Sequence, residues 1–313
     1  MHGVVIKSTG SWYSVRVHDD DTVYKCRMRG KFRISGIKST NPITVGDIVD
    51  FELEKDSDKG IITNIHDRKN YIIRKSVNLS KQTHIIAANI DQAFLLVTLE
   101  NPLTFTSFID RFLATAEAYS IPAIIIFNKI DLYDKKLALQ KQELEKIYRA
   151  IGYECLDISA TEKININKLK IMMKDRVSMF SGHSGVGKST LINAIHPALG
   201  LKVSELSVQH NQGQHTTTFA EMFALPFGGY IIDTPGIKGF GVVDFEKDEI
   251  GDFFPEIFAL KKDCKFNNCL HVNEPDCAVK LAVANNCIAK SRYHSYLQLL
   301  KGEQENYRVD NYL

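Results

Sequence analysis

Cysteine is scarce in this sequence, with six among 313 residues, which is too few for the disulfide framework of a small secreted scaffold. Nineteen glycines and eight prolines are far below collagen-like or low-complexity levels. Long apolar runs are missing too. A stretch such as Ile121 to Phe127 falls well short of the roughly 18 residues needed for a membrane helix. The opening Met-His-Gly-Val-Val-Ile turns polar after six positions, so it resembles neither an apolar leader nor an Arg/Ser-rich transit segment. The cytoplasm is the expected compartment, with no membrane partner.

With 44% apolar and 24% charged residues, the composition is that of an ordinary globular protein long enough for two or three folded units. Net charge is only +2, but it is unevenly placed. Residues 1–70 hold 12 Lys/Arg against 10 Asp/Glu, leaving 27 of each sign beyond them.

Residues 1–70 read as short strands: Val4 to Ile6, Trp12 to Val17, Val23 to Arg33, Ile48 to Leu53 and Ile61 to Ile65. Turn material such as Thr9-Gly10-Ser11 and Asp56 to Gly60 separates them. Five strands without a helix predict a small closed barrel. A five-stranded OB-fold is the commonest solution, and an SH3-like barrel is the other. From Tyr71 to Asp244 the pattern alternates. Ala93 to Val97, Ala123 to Phe127, Val177 to Phe180 and Tyr230 to Ile232 are buried-strand runs. Between the first two, Phe105, Phe108, Ile109, Phe112, Leu113 and Ala116 form one helical stripe, and a weaker one (Leu137, Leu144, Ile147, Ile151) follows Asp131. A doubly wound α/β domain is expected over 71–244, followed by a mainly helical domain over 245–313.

Within that frame, Gly182-His183-Ser184-Gly185-Val186-Gly187-Lys188-Ser189 fits G-x-x-x-x-G-K-[ST] between a strand and the apolar Leu191, Ile192 and Ile195. Glycines let successive N–H groups converge on a phosphate at the start of the helix that includes Thr190. Lys188 would neutralise β/γ-phosphate charge and Ser189 would ligate Mg²⁺. Asn128-Lys129-Ile130-Asp131 names the base: the Asp131 carboxylate would accept guanine N1–H and N2–H₂, whereas adenine would leave it unpaired. Lys129 would flank the ring and Asn128 would brace neighbouring loops. Taken alone, this tetrapeptide is equally a helix cap after a strand. Ser159-Ala160 would offer a backbone N–H to guanine O6. Asp233-Thr-Pro-Gly236 matches D-x-x-G, with Asp233 reaching Mg²⁺ through water and the Gly236 amide sensing the γ-phosphate. Between these elements, Gly213 to Thr218 is a switch-like loop, and spacing favours Thr217 as its Mg²⁺ ligand.

The order of the motifs is unusual. In a Ras-like GTPase the phosphate loop comes first, whereas here Asn-Lys-x-Asp and Ser-Ala precede it and D-x-x-G comes last. The G domain is therefore circularly permuted, at little cost if the original ends lay close together. Permutation sets a following domain beside the D-x-x-G switch.

Cys264-x₄-Cys269-x-His271-x₅-Cys277 offers three thiolates and an imidazole, a tetrahedral set suited to structural Zn²⁺ with no open position for catalysis. Cys26, Cys155 and Cys287 read as small hydrophobes. Lys25, Arg27, Arg29, Lys31 and Arg33 alternate with apolar residues, placing five cations on one strand face. Such a face suits an RNA backbone, with Trp12 and Tyr13 as stacking groups, or it is simply a solvated surface. Arg68, Lys69, Arg74, Lys75 and Lys81 carry the basic character into the following linker.

Taken together, these features resemble the RsgA family of ribosome small subunit-dependent GTPases, also called YjeQ or YloQ. The resemblance spans essentially the whole chain: the barrel, Ala87-Ala-Asn-Ile-Asp91 at the G-domain entry, the permuted motifs, Phe254-Pro-Glu-Ile257 and the cysteines. It implies an OB-fold, a permuted GTPase domain and a zinc domain acting in late maturation of the small (30S) subunit by docking on its rRNA. Hydrolysis of GTP to GDP would be slow alone and stimulated by that subunit. The family carries a hydrophobic residue in place of the catalytic glutamine, here Ile237, and the implied substitute is His215, which would hold the attacking water. A nucleotide-gated RNA-binding module with incidental hydrolysis is the other reading. A monomer is expected.

Overall fold

The computed structural model describes residues 1–17, 22–28, 42–55, 57–75, 83–201, 220–233 and 246–302. Strands β1 (His2–Ser8), β2 (Tyr13–Val17), β3 (Val23–Met28), β4 (Ile48–Leu53) and β5 (Lys59–Ile65) come first. They hydrogen-bond in the order β1-β2-β3-β5-β4, and β4 returns to β1 antiparallel, closing the barrel. Closure leaves no edge exposed among these five strands. Alternation sends Val5, Tyr13, Val15, Cys26, Val49, Phe51 and Ile62 into one buried cluster. Tyr13, expected as a stacking group, is therefore a core residue at 2% exposure, because it shares its face of β2 with Val15 and Val17.

A hairpin of β6 (Tyr71–Lys75) and β7 (Thr83–Ala88) stands where the sequence suggested a linker. It ends on the Ala87-to-Asp91 run, which joins barrel to G domain. Val45 of the barrel bridges Ala87, and the Asn89 amide donates to Gly46 O. A Cβ on Gly46, whose φ is +90°, would lie 2.0 Å from Ala88 O, so only glycine fits there. On the other side, Asp91 Oδ2 accepts the Val177 N–H at 2.6 Å.

The central domain runs through β8 (Gln92–Val97), α1 (Thr106–Ala118), β9 (Ala123–Phe127), α2 (Lys135–Ile151), β10 (Glu154–Asp157), α3 (Ile166–Met173), β11 (Val177–Ser181), α4 (Lys188–Ile195), β12 (Glu221–Ala224) and β13 (Tyr230–Asp233). Its sheet order is β10-β9-β8-β11-β13-β12, parallel except for β12. Apolar clusters cover both faces, as a parallel sheet requires. The chain starts in the middle of this sheet, works to one edge, and returns to fill the other side. That threading is the structural form of the permuted motif order. At the far edge β12 pairs with β1, where the Lys7 ammonium donates to both Glu221 oxygens at 3.0 Å.

Helices α5 (Pro255–Lys261), α6 (Ala278–Ala284) and α7 (Lys290–Lys301) follow. Their apolar cluster includes Ala114 of α1, so this helical region packs directly on the G domain. No helix among the described residues is long and apolar enough to cross a membrane.

Candidate nucleotide and metal sites

The carboxyl ends of parallel strands gather the nucleotide motifs at one rim, the usual place for ligands in such sheets. Strand β11 runs into the loop 182–187, where Gly182, Gly185 and Gly187 all take positive φ. A Cβ on Gly182 would meet Leu96 O at 2.8 Å, and one on Gly187 would meet Asn128 Nδ2 at 2.5 Å. The loop can therefore sit against β8 and the base motif only because these residues lack side chains. Helix α4 begins at Lys188 with Gly187 as its N-cap, leaving its first N–H groups facing the loop. The Lys188 ammonium donates to Gly182 O and, at 3.0 Å, to His183 O, which ties it back to the loop. Ser189 and Thr190 occupy the first turn, and Ser184 is the exposed residue of the loop.

Asn128 links the motifs. It is 1% exposed, its Nδ2 donates to Val186 O at 2.8 Å, and its Oδ1 accepts the Ala160 N–H at 3.3 Å. One amide thus ties the phosphate loop after β11 to Ser159-Ala160 after β10. The Ala160 amide, expected to face a purine carbonyl, is turned to Asn128 here. Ser159 is fully buried, with its hydroxyl accepting the Glu162 N–H at 3.0 Å. Lys129 adopts a left-handed φ of +63° and donates to Asn101 O at 2.6 Å, while Asp131 lies exposed in the following short helix. Partial burial lowers the Lys129 pKa, and the Asp131 charge opposes that shift.

Strand β13 pairs with β11 in parallel, Met179 opposite Ile232, so the backbone of Asp233 arrives level with the strand that feeds the phosphate loop. The side chain of Asp233 lies outside the described residues, as do His215, Thr217, Gly236 and Ile237.

The profile of the RsgA GTPase family matches residues 65–243, and that of the RsgA N-terminal domain matches residues 2–62. The chain belongs to the RsgA GTPase family. The "Small ribosomal subunit biogenesis GTPase RsgA" of Flavobacterium johnsoniae is 64% identical over 314 residues, covering 100% of this chain and 96% of the relative. Its namesake in Christiangramia forsetii is 62% identical, covering 100% and 99%. Among solved structures, YjeQ from Thermotoga maritima superposes with a TM-score of 0.78 at 36% identity, covering 96% of this chain and 97% of that one. YloQ, described as a circularly permuted GTPase, gives 0.75 at 32% identity, covering 99% and 96%. This RsgA-family chain is therefore a GTP-hydrolysing enzyme with an N-terminal barrel, a central GTPase domain and a helical C-terminal region carrying a cysteine cluster.

In that C-terminal region of the RsgA-family chain the four expected ligands converge. Their donor atoms all lie within 4.8 Å of one another. Cys264 Sγ is 3.9 Å from Cys277 Sγ and 3.6 Å from His271 Nδ1, which is 3.4 Å from Cys277 Sγ. A zinc ion with bonds of about 2.3 Å to sulfur and about 2.0 Å to nitrogen sets tetrahedral edges of roughly 3.8 and 3.5 Å, so the donor set fits zinc. Burial and the neighbouring Cys277 and Cys264 push the Cys269 thiol up to about 12, and burial lowers the His271 pKa. The first direction means that a dication would be needed to ionise Cys269, and the second favours the neutral His271 ring that a metal ligand must present. The Glu274 carboxylate accepts the N–H groups of Leu270, Val272 and Asn273, shaping the ligand loop, and Tyr293 OH donates to His271 O at 2.6 Å.

On the barrel, Lys25 and Arg27 point outward while Cys26 is buried, as alternation predicts. Arg27 is paired with Glu54, and Lys25 lies in register with Lys59, whose ammonium sits 5.6 Å from the Trp12 ring. Arg29, Lys31, Arg33 and Lys81 lie outside the described residues. Cys155 and Cys26 are buried as expected, but Cys287 is exposed, since it lies in the turn after α6 rather than on an apolar face.

Sequence reasoning missed two connections. Arg292 of α7, 1% exposed, donates to Asp110 of α1 at 2.9 Å and to both oxygens of Glu256 in α5, and Tyr148 OH donates to the same Asp110 oxygen at 2.8 Å. Two residues before Asp110, Phe108 of α1 packs on the His183 ring of the phosphate loop, with centroids 3.7 Å apart. Burial and Lys188 lower the His183 pKa, favouring the neutral ring. Asp110 lies beside the apolar stripe of α1 and is followed by Arg111, so the sequence carried no signal of its burial.

Proposed function

We propose that this chain binds GTP at the rim described above and hydrolyses it during maturation of the small ribosomal subunit, docking on rRNA through its barrel. The observation that carries this reading is the Asn128 brace between phosphate loop and guanine motif, in a permuted sheet. The names of the relatives point to the same process. Residues 1–70, 71–244 and 245–313 then act as RNA-binding, GTPase and zinc-binding domains of a cytoplasmic monomer.

Asp131 recognises the guanine edge, Lys129 lies against the ring, and Ala160 turns toward its carbonyl. The N–H groups of 182–190 cradle the phosphates, and Lys188 exchanges its loop carbonyls for phosphate oxygens, stabilising charge that builds up in the transition state. Mg²⁺, held by Ser189, Thr217 and Asp233, would neutralise the phosphates further. Gly236 reports the γ-phosphate, and His215 orients the attacking water when the subunit docks. Zinc on Cys264, Cys269, His271 and Cys277 is structural. Lys25, Lys59 and Trp12 support the RNA reading by placing cations beside an exposed aromatic, a combination suited to a nucleic-acid strand.

The test is steady-state GTP hydrolysis with and without purified small subunits, with large subunits as control. Stimulation by small subunits alone is expected. Equal stimulation by both, or by neither, would remove the ribosomal assignment and leave a GTPase with another partner.

A further inference from the structure

The seam where the barrel closes carries a second cluster of metal-type ligands, distinct from the Cys264–Cys277 set and unused by the GTPase reaction. His2 of β1 stands opposite Asp50 of β4, and Asp50 stands opposite Asn64 of β5. His66 follows directly after β5, its N–H donated to Ile48 O at 2.9 Å. Three strands therefore bring two imidazoles to one carboxylate, one on each oxygen: His2 Nδ1 lies 3.1 Å from Asp50 Oδ1, and His66 Nε2 lies 2.9 Å from Oδ2. The rings meet edge to face, with centroids 5.0 Å apart and planes at 88°. All three donor atoms fall within 4.8 Å of one another.

Supporting contacts hold the carboxylate in place. Asn64 Nδ2 donates to Asp50 Oδ2 at 3.1 Å, and Thr63 Oγ1 donates to Asp50 O at 3.2 Å. The β4–β5 register shifts between Asp50 and Phe51, an irregularity that re-aims side chains locally.

We infer that His2, Asp50 and His66 form a binding site for a late first-row divalent cation of the Zn²⁺ or Ni²⁺ type. Two imidazoles select such borderline ions over Mg²⁺ or Ca²⁺, which require oxygen ligands. Both rings and the carboxylate are substantially exposed, at 49%, 41% and 39%, so the remaining coordination positions are open to water. That openness distinguishes the site from the closed Cys₃His set. An ion bound here would link β1, β4 and β5 across the closing seam, and binding to the folded barrel alone would stabilise it by mass action.

The experiment uses the full-length chain without a histidine tag and with its cysteine site loaded, titrated calorimetrically with NiCl₂. One further ion per chain is expected. Even an outer-shell partner is worth about 10- to 100-fold in metal affinity, so His66→Gln and His2→Gln should each weaken Ni²⁺ binding by at least that factor. Both side chains are exposed at strand ends, and an unchanged circular dichroism spectrum together with retained zinc would show that the variants fold. In the unmodified chain, paramagnetic Ni²⁺ should broaden the His2 and His66 ring resonances before those of other histidines. Absence of a further ion, or a further ion bound equally well by both variants, would overturn the inference.

Discussion

The phosphate loop and the Cys₃His cluster are both short contiguous runs, yet they are built in opposite ways. In the loop the backbone forms the ligand cradle, held by β11, by α4 and by the buried Asn128 amide, with glycines where Leu96 and Asn128 press closest. In the cluster, side chains make the site, and they bring three sulfurs and an imidazole together in a region whose helices are seven to twelve residues long. Such short helices do not stand alone in water. The loop should therefore survive loss of its ligand, whereas the helical region should not.

The largest effect tests that contrast directly. An apparent binding free energy of about 10–16 kcal/mol for a structural zinc means that chelation, or Cys269→Ser, should melt α5 and α6. Far-UV circular dichroism and metal analysis should show helix and zinc lost together, with GTP still bound. Loss of nucleotide binding as well would show that the two sites stand or fall as one unit.

A smaller effect probes the join between the two regions. Arg292→Ala would leave Asp110 and Glu256 without their cation, and breaking a buried pair costs about 3–5 kcal/mol. Thermal unfolding should show the C-terminal region loosening first. Because Phe108, which packs on His183, is two residues from Asp110, subunit-stimulated hydrolysis should fall more than nucleotide affinity. The smallest effect belongs to the nucleotide site alone. Asp131→Asn should lower guanine-over-adenine preference by roughly 10- to 100-fold, the worth of one hydrogen bond to a charged group, with no change in melting because Asp131 is exposed. Competition binding of GTP against ATP measures it, and an unchanged preference would move base recognition elsewhere.

Legibility followed the range of the interactions involved. Ile48–Leu53 and Ala123–Phe127 were readable to the residue, since alternation in the one and an unbroken apolar run in the other report burial directly. The hairpin Tyr71–Lys75 with Thr83–Ala88 was read as a linker, because Arg74, Lys75 and Lys81 mask the apolar Ile72, Ile73 and Ile85. Helix α3, Ile166–Met173, went unread because its few apolar residues are interspersed with lysines. Tyr13 reads as a surface aromatic beside Trp12, although the face of β2 that it shares with Val15 and Val17 turns into the barrel.

By itself, the sequence determined the GTPase family, the donor set of the cysteine cluster and the permuted order of the sheet, because a phosphate-loop motif and clustered cysteines are short runs whose meaning does not wait on distant contacts. Tertiary structure alone decided what lies far apart along the chain. It brings Arg292 to Asp110, 182 residues away, Glu221 to Lys7, and His2 and His66 to Asp50. No local period encodes such contacts. They arise when closure of a barrel, or packing of a helix on its neighbour, leaves polar groups that find each other in order to be satisfied.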